Sequence, residues 1–287
     1  MICPLCEAKD PPQPLHRFPP YTVARCPRCG LARLEPQPSA AELKSLYDSP
    51  HYYGGAAASA GYREDYASLQ RCLRRSAARD LELLAPRVHG GDLLEVGCGY
   101  GAFLELARER GYRVRGLELS AAAAARAAAK LGAAVLRTTL EAYAAAHPDC
   151  ADAIYCSHVI EHVPDPRAFV AAAARALRPG GFLLCITPNR RSLLARLSGR
   201  RWVSYKIPEH LFFFDPSTIG RLLAADFELA EVDPAWHYYP VPMVADRLRR
   251  LLDPLGRIVP RLEQRPSLAR RMVRIQDGSM RVLARRR

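Results

Sequence analysis

Leu93-Leu94-Glu95-Val96-Gly97-Cys98-Gly99-Tyr100-Gly101-Ala102-Phe103 is the stretch that decides the fold. A short apolar run ending in an acid has the length of a buried strand, and it enters a turn of alternating glycines before a helical pattern opens at Ala102. Glycine lets the backbone pass close against a ligand where a Cβ would collide. The helix N-terminus beyond it presents unpaired N–H groups to the same ligand. A nucleotide bound at this turn is the expectation.

Outward from the turn, short apolar strands alternate with helical stretches, which is the pattern of a parallel sheet covered on both faces. Strands are expected over Leu93–Gly97, Val114–Leu119, Ala134–Arg137, Ala153–Ser157, Phe182–Thr187, Phe227–Asp233 and Met280–Ala284. Helices are expected over Ala102–Arg110, Ser120–Leu131, Pro166–Leu177, the last closed by Pro179-Gly180-Gly181, and Pro216–Ala225. Upstream, Ser39-Ala40-Ala41-Glu42 is a capping box for a short helix through Tyr47, and a second helix runs from about Tyr62 to Leu84. Four regions follow: a cysteine-bearing segment 1–38, a helical linker or cap 39–90, a nucleotide-binding core 91–234, and a basic helical insertion with the final strand, 235–287.

The glycine letters alone fit two cofactors. Gly97-x-Gly99-x-x-Ala102 satisfies the dinucleotide fingerprint, and Glu95-x-Gly97-x-Gly99-x-Gly101 satisfies that of S-adenosylmethionine enzymes. Glu118, closing the second strand, can accept from both ribose hydroxyls, a logic that both classes share. The fourth strand then runs into Cys156-Ser157-His158-Val159-Ile160-Glu161-His162-Val163-Pro164-Asp165-Pro166. With these residues the chain resembles the class I methyltransferase superfamily over about residues 93–233. The resemblance continues through Pro179-Gly180-Gly181 and Glu209-His210-Leu211-Phe212-Phe213-Phe214. It implies an α/β fold with a Rossmann-like seven-stranded sheet and S-adenosylmethionine as cofactor. Glu95, Gly97, Gly99 and Gly101 then line the methionine moiety and Glu118 holds the ribose, with Leu119, Thr139, Leu140 and Ser157 completing the contacts. Many members carry an acid after strand three for the adenine amino group. This chain has Arg137-Thr138-Thr139-Leu140-Glu141 instead.

Methyl transfer from a sulfonium is an in-line displacement, so the protein must align the acceptor and remove its proton. His158, Glu161 and His162 lie where the fourth strand leaves the sheet, the edge at which ligands bind in open α/β folds. A helix beginning near His158 would put all three on one face, and imidazole is a suitable base near neutral pH. His210, ahead of three phenylalanines that read as the wall of an acceptor pocket, is a further candidate, so His158, His162 and His210 form the expected catalytic set. Tyr52 and Tyr53, before Gly54-Gly55, are candidates to close over the cofactor. Related ubiquinone-biosynthesis O-methyltransferases have Glu-x-x-Glu-His at this strand, associated with a divalent metal. Here His158 stands where the first Glu would be, and no catalytic metal is expected.

Cys3-Pro4-Leu5-Cys6 and Cys26-Pro27-Arg28-Cys29 are two knuckles separated by about 20 residues, the spacing of a four-cysteine zinc ribbon. Four thiolates leave zinc no open position, so Cys3, Cys6, Cys26 and Cys29 are expected to hold a structural ion. The remaining five of the nine cysteines are scattered.

With 49% hydrophobic and 25% charged residues in 287, the chain is neither disordered nor collagen-like. No apolar run is long enough to span a bilayer and the first residues lack a signal-peptide pattern, so a cytoplasmic protein is expected. The net charge is +13, of which residues 238–287 carry +9 through 13 arginines, so basicity belongs to the C-terminal segment. There Leu248, Leu251, Leu252, Leu255, Ile258 and Val259 recur at near-helical spacing among arginines. Residues 244–274 are therefore expected to be a basic amphipathic helix able to lie on an anionic membrane or to pack as a lid. Three functions compete. The favoured one is methylation of a small-molecule acceptor (sugar, lipid or secondary metabolite) at oxygen or carbon, since a zinc knuckle ahead of such a domain resembles bacterial enzymes of this kind. The second is methylation of ribosomal RNA guanine, which zinc-containing members perform. The third is a non-catalytic module gripping an acidic partner. Nucleic acid is not the expected acceptor, because no Asn/Asp-Pro-Pro-Tyr or catalytic Pro-Cys segment follows strand four.

Overall fold

The computed structural model describes residues 2–48, 69–251 and 271–287. An N-terminal meander of β1 (Gln13–Phe18), β2 (Tyr21–Arg25) and β3 (Ala32–Glu35) precedes helices α1 (Ala40–Asp48) and α2 (Gln70–Leu84). The alternating region comprises β4 (Gly91–Val96), α3 (Ala102–Glu109), β5 (Tyr112–Leu117), α4 (Ala121–Leu131), β6 (Val135–Leu136), α5 (Leu140–Ala146), β7 (Ala151–Ser157), α6 (Pro166–Ala176) and β8 (Leu177–Pro188). Then come α7 (Leu193–Ser198), β9 (Phe212–Phe213), α8 (Pro216–Leu223), β10 (Phe227–Pro234), β11 (His237–Pro240), α9 (Val241–Leu251), β12 (Met272–Ile275) and β13 (Ser279–Arg286).

Seven strands form one sheet in the order β10-β13-β8-β7-β4-β5-β6. β8, β7, β4, β5 and β6 are parallel neighbours, and β13 runs antiparallel to both β8 and β10. From β4 the chain moves outward through β5 and β6, then returns to β7 on the other side of β4. Such a reversal is where open α/β sheets form their ligand crevice, here at the carboxyl ends of β4 and β7. Both faces of the sheet are covered, so successive residues of a strand enter different cores. Leu94, Ile154 and Leu183 join one cluster with Phe169 and Ile219, while Leu93, Ala153 and Leu184 join the other with Leu81, Leu84 and Leu104. Small residues bring the helices close. On α4 Ala123, Ala127 and Leu131 are the buried stripe, and the Ser120 hydroxyl caps the helix by accepting from Ala123 N–H.

The N-terminal ribbon shares this architecture. β3 pairs with β9, Ala32 opposite Phe213 and Arg33 opposite Phe212, giving a second sheet of order β1-β2-β3-β9. Leu31 and Leu34 are buried in the same cluster as Leu94 and Phe212. Segment 1–38 is thus built onto the core.

Three expectations need correction. Pro179-Gly180-Gly181 does not close a helix, since α6 ends at Ala176 and these residues lie within β8. The pairing of β7 with β8 shifts register between Ala151 and Ala153 there, and a Cβ on Gly181 would lie 3.0 Å from Asp152 O. No helix begins at His158, where the chain makes a turn. The insertion 235–277 is not purely helical: β11 and β12 pair antiparallel on either side of α9, as aromatic and β-branched residues favour. Much of the expected amphipathic helix 244–274, the expected helix before Gln70, and Tyr52 and Tyr53 fall outside the described residues. Among the described residues no helix is long and apolar enough to cross a membrane.

Candidate active site

The crevice at the strand reversal contains the glycine turn. Gly97, Gly99 and Gly101 have φ of 72°, 53° and 79°, the left-handed region that side chains disfavour. Space is short as well: a Cβ on Gly97 would lie 2.6 Å from Val159 Cγ2, and one on Gly101 2.7 Å from Leu131 Cδ1, so a neighbouring side chain would have to shift. The turn is pinned to the next strand by Gly97 N–H and Cys98 N–H, which both donate to Leu117 O (2.8 and 3.1 Å). Glu118, just past β5, is buried, and its two oxygens accept from Gly99 N–H (2.9 Å) and Ser120 N–H (2.8 Å). The acid expected at the ribose is therefore fixed by the turn it would serve.

Glu95 is 6% exposed, and its Oε2 has no hydrogen-bond partner among the described residues. Burial, reinforced by the neighbouring Glu118 carboxylate, pushes its pKa well above the ordinary carboxylate range. A buried carboxylate oxygen without a partner beside a side-chain-free turn suits a ligand that brings its own hydrogen-bond donor and positive charge. S-adenosylmethionine, with its ammonium and sulfonium, fits those residues. The other expected contacts also sit at carboxyl ends of strands. Leu119 is 48% exposed and its carbonyl accepts from Arg137 Nε (3.0 Å). The Thr139 hydroxyl caps α5 by accepting from Ala142 N–H (3.2 Å). Leu140 is fully buried, so only its backbone can face a ligand, and Ser157 ends β7 half-buried. Cys98 is buried too, and burial raises its thiol pKa far above normal, leaving it an unreactive packing group.

Beside the turn stands His158, itself left-handed at φ 56°, with its N–H donating to Ile186 O (2.8 Å). Its Nδ1 is 3.2 Å from Glu161 Oε1, so the pair expected on a helix is made by a turn. Glu161 is 1% exposed, and its other oxygen accepts from the Thr187 hydroxyl at 3.0 Å. Burial pushes its pKa up, but the His158 hydrogen bond and the imidazoles of His158 and His162 outweigh this, leaving it below normal. His162 Nδ1 lies 3.0 Å from the Tyr47 hydroxyl, and its ring meets His210 edge-on at 4.5 Å. Burial lowers the pKa of both imidazoles, His210 the more strongly. His210 is 3% exposed, with Nδ1 lacking a partner among the described residues. Donor atoms of Glu161, His162 and His210 lie within 4.8 Å of one another, but both Glu161 oxygens are already engaged by His158 and Thr187. Phe212, Phe213 and Phe214 are buried in the core, not in a cavity wall.

Tyr47 was not anticipated. It brings α1 over the loop after β7, with its phenol pKa raised by burial and by the carboxylates of Glu209, Glu161 and Glu118. Nor were His237 and Asp277, whose ring nitrogen and carboxylate meet at 3.0 Å beside His158. They are 40 residues apart in the chain, and neither sits in a recognisable motif.

At the other end of the ribbon the four expected cysteines converge. Cys3 Sγ is 3.5 Å from Cys29 Sγ and Cys6 Sγ 3.6 Å from Cys26 Sγ, with all four sulfurs within 4.8 Å. A tetrahedron of ~2.3 Å zinc–sulfur bonds has edges of about 3.8 Å, so the arrangement fits the ion. The knuckles match in form: Glu7 N–H donates to Cys3 O and Gly30 N–H to Cys26 O, with Glu7 and Gly30 both left-handed. Burial raises the Cys26 thiol pKa, but the N–H groups of Cys29 and Arg28 outweigh it and bring it down to about 7.

Comparison with known proteins agrees with this geometry. The family described as "Methyltransferase domain" matches residues 69–232. The ubiquinone biosynthesis O-methyltransferase of Thiobacillus denitrificans is 35% identical over 144 residues, 46% of this chain and 62% of that protein. The enzyme of the same name from Nitrosospira multiformis is 35% identical over 147 residues, 47% of this chain and 62% of that protein. The matches thus span under two thirds of these relatives. Among solved structures, Burkholderia thailandensis 1,6-didemethyltoxoflavin-N1-methyltransferase, with bound 1,6-didemethyltoxoflavin and S-adenosylhomocysteine, has the same fold. Its TM-score is 0.54 at 16% identity, covering 96% of this chain and 99% of that one. With more than half its length matched and a seven-stranded sheet reversing at the glycine turn, the chain belongs to the methyltransferase domain family of class I S-adenosylmethionine-dependent enzymes.

Proposed function

We propose that the protein transfers the methyl group of S-adenosylmethionine to an oxygen of a small-molecule acceptor, with a histidine taking the acceptor's proton. The observation that carries this reading is the contact between two halves of one crevice. The glycine turn, with the unpartnered Glu95 oxygen, packs at Gly97 against Val159, the residue after His158. Donor and acceptor sides therefore adjoin at the carboxyl ends of neighbouring strands. Oxygen as the acceptor atom is supported by the O-methyltransferase names of the relatives.

When bound, S-adenosylmethionine supplies a methyl group already activated on a sulfonium. The chain's own residues do the rest. Glu95 and the Gly97–Gly101 backbone hold the amino-acid end, and Glu118 holds the ribose. Leu119, Thr139, Leu140 and Ser157 border the remainder. His158, fixed by Glu161, faces the acceptor. His162 and His210 keep this flank dry and uncharged, held against Tyr47 and the buried phenylalanines. Cys3, Cys6, Cys26 and Cys29 hold a structural zinc. The exposed Leu248 on α9, with arginines along residues 244–274, supports contact with an anionic bilayer, from which an apolar acceptor would reach the crevice.

The experiment pairs calorimetry with S-adenosylhomocysteine and transfer of tritiated methyl to 3,4-dihydroxybenzoate. Heat with the cofactor product together with labelled phenyl ether is the expected result. Binding of NADH in place of S-adenosylhomocysteine overturns the reading. Sedimentation with anionic vesicles tests the membrane contact, and equal binding to neutral vesicles refutes its electrostatic part.

A further inference from the structure

At the carboxyl end of β8 the chain crosses from β10 to β11 and from β12 to β13. These two crossings put His237 and Asp277 over the sheet edge: Ser279 pairs with Pro188, Ala235 N–H donates to Ser279 O (3.0 Å) and Asn189 N–H to Gly278 O (2.8 Å). His237 Nδ1 lies 3.0 Å from Asp277 Oδ2. The same oxygen accepts from the Tyr239 hydroxyl, and Oδ1 accepts from Ser279 N–H at 3.0 Å. The two side chains are only 11% and 13% exposed. A carboxylate that accepts three hydrogen bonds fixes the hydrogen of His237 on Nδ1, which leaves the lone pair on Nε2.

Nε2 makes no hydrogen bond among the described residues, and the ring centroid is 5.6 Å from that of His158. A second chain of contacts ties the pair to the donor side. Asp80 of α2 interacts electrostatically with His237 and accepts from the Tyr155 hydroxyl (3.0 Å), and the Tyr155 ring stacks on Phe103 of α3 at 3.8 Å. A histidine serving only to brace a hairpin has no need of a second nitrogen left without a partner among the described residues beside His158, nor of a carboxylate saturated so as to orient it.

We infer that His237, oriented by Asp277, is the base that takes the acceptor's proton. This rests on the O-methylation reading above. The acceptor hydroxyl gives its proton to Nε2, and an oxygen lone pair forms the new bond to the methyl carbon. The carbon–sulfur bond breaks with its electron pair returning to sulfur, leaving S-adenosylhomocysteine. The imidazolium, paired with the Asp277 carboxylate, then loses its proton to water. Asp277 is a positioning residue in this step.

The groups facing the ring set its proton affinity. Burial lowers it, Asp277 and Asp80 raise it more, Arg281 of β13 opposes them, and the net result lies above the ordinary imidazole value. Among the described residues the rings of His158 and Tyr239 also neighbour it. Asp277 itself stays ionised. Burial pushes its pKa up, but His237, His158 and the Tyr239 hydroxyl overcome this and hold it far below the usual range.

The test uses full-length, zinc-loaded protein, 3,4-dihydroxybenzoate as acceptor and nitrogen-15 NMR of the histidine rings with S-adenosylhomocysteine bound. Wild-type kcat/KM should rise with pH along a limb whose apparent pKa exceeds the free-imidazole value of ~6.5. His237→Gln should lower kcat by about 10²-fold or more and remove that limb, leaving KM and S-adenosylhomocysteine affinity near wild type. Asp277→Asn should move the limb to lower pH, which loss of a mere structural pair would not do. The NMR signal lost in His237→Gln should be protonated on Nδ1. An unchanged pH profile in His237→Gln, or a His237 ring protonated on Nε2, overturns the assignment. If His237→Gln does not fold, the Asp277→Asn limb and the ring's tautomer decide. Wild-type protein that binds S-adenosylhomocysteine but methylates no phenol overturns the O-methylation reading and this assignment with it. An active wild type with an unaffected variant overturns the assignment alone.

Discussion

Replacing Glu95 by Gln should make the ligand-free protein more stable and its cofactor binding worse. Glu95 is buried, one oxygen has no partner among the described residues, and its pKa in the fold is raised well above 4.5 by burial and then by Glu118. A carboxyl whose folded pKa exceeds its unfolded one helps the fold while both states are protonated. That contribution is lost as pH rises from about 4.5 toward the folded pKa. Across that window the folded state binds one more proton than the unfolded state, so stability falls by about 1.4 kcal/mol per pH unit. Gln keeps the volume and can still accept from Leu104 N–H, but it does not ionise. Glu95→Gln without ligand should lose this slope and be more stable at pH 8 by about 1–3 kcal/mol. Each kcal/mol corresponds to roughly 2–4 °C in Tm for a chain approaching this size. Binding should move the other way. A charge-assisted hydrogen bond is worth about 1.5–3 kcal/mol, so affinity for S-adenosylhomocysteine should fall by about 10- to 150-fold. Thermal melts from pH 5 to 8 and calorimetry on both proteins measure the two effects. Identical pH slopes together with affinities within threefold would refute the placement of Glu95 against the cofactor.

Gly97→Ala should weaken S-adenosylhomocysteine binding at least tenfold, because it adds left-handed strain of about 1–2 kcal/mol and drives a methyl into Val159; Gly97→Ala/Val159→Ala should recover part of the loss by calorimetry. An unrecovered double variant would show that strain alone is responsible. Elemental analysis should find one zinc per wild-type chain and none in Cys26→Ser, whose Tm should fall by several degrees, whereas a metal-free wild type with unchanged Tm refutes a structural ion. His210, buried with its pKa lowered, contributes stability that is complete above about pH 6.5 and lost as pH falls; urea unfolding at pH 7 and pH 5 should show a loss that shrinks in His210→Phe by up to ~1.4 kcal/mol per pH unit.

The parts legible in the sequence are those whose chemistry is local. A buried strand entering a turn of three left-handed glycines is one continuous stretch, and Ser39, Ser120 and Asp165 announce the helices they cap through hydrogen bonds to residues three or fewer positions away. The two cysteine knuckles are local as well. Pairs made across the chain were not legible. β11 and β12 are four residues each and separated by more than thirty, so their alternation was lost inside a longer apolar pattern that suits a helix. For the same reason His237 and Asp277 had no signature. The phenylalanines after His210 misled because a run of aromatics reads the same whether it faces a cavity or a core. Pairing of β3 with β9, which no pattern within either strand reveals, settled that they face the core.

That pairing also gives the ribbon a mechanical role. Cys26 N–H donates to Leu31 O, so the second knuckle sets the start of the run leading into β3. Leu34 N–H donates to Leu211 O at 2.8 Å, and Leu211 N–H donates in turn to Glu161 O at 2.8 Å. Glu161 holds the His158 ring. Four short links thus run from Cys26 of the second knuckle to the imidazole of His158 beside the glycine turn. The first three are backbone hydrogen bonds buried among apolar side chains, and in the fourth the Glu161 carboxylate is buried while the His158 ring is partly exposed, so the backbone part of the path is not readily replaced by water. An ion that closes the knuckles fixes β3, β3 fixes the strand after His210, and that strand fixes the turn carrying Glu161. A site closed to substrate can in this way support catalysis without taking part in it. The cost of removing the metal should then appear as a poorly positioned His158 before it appears as a lost cofactor site, because the glycine turn is pinned instead to β5 through Leu117 and Glu118.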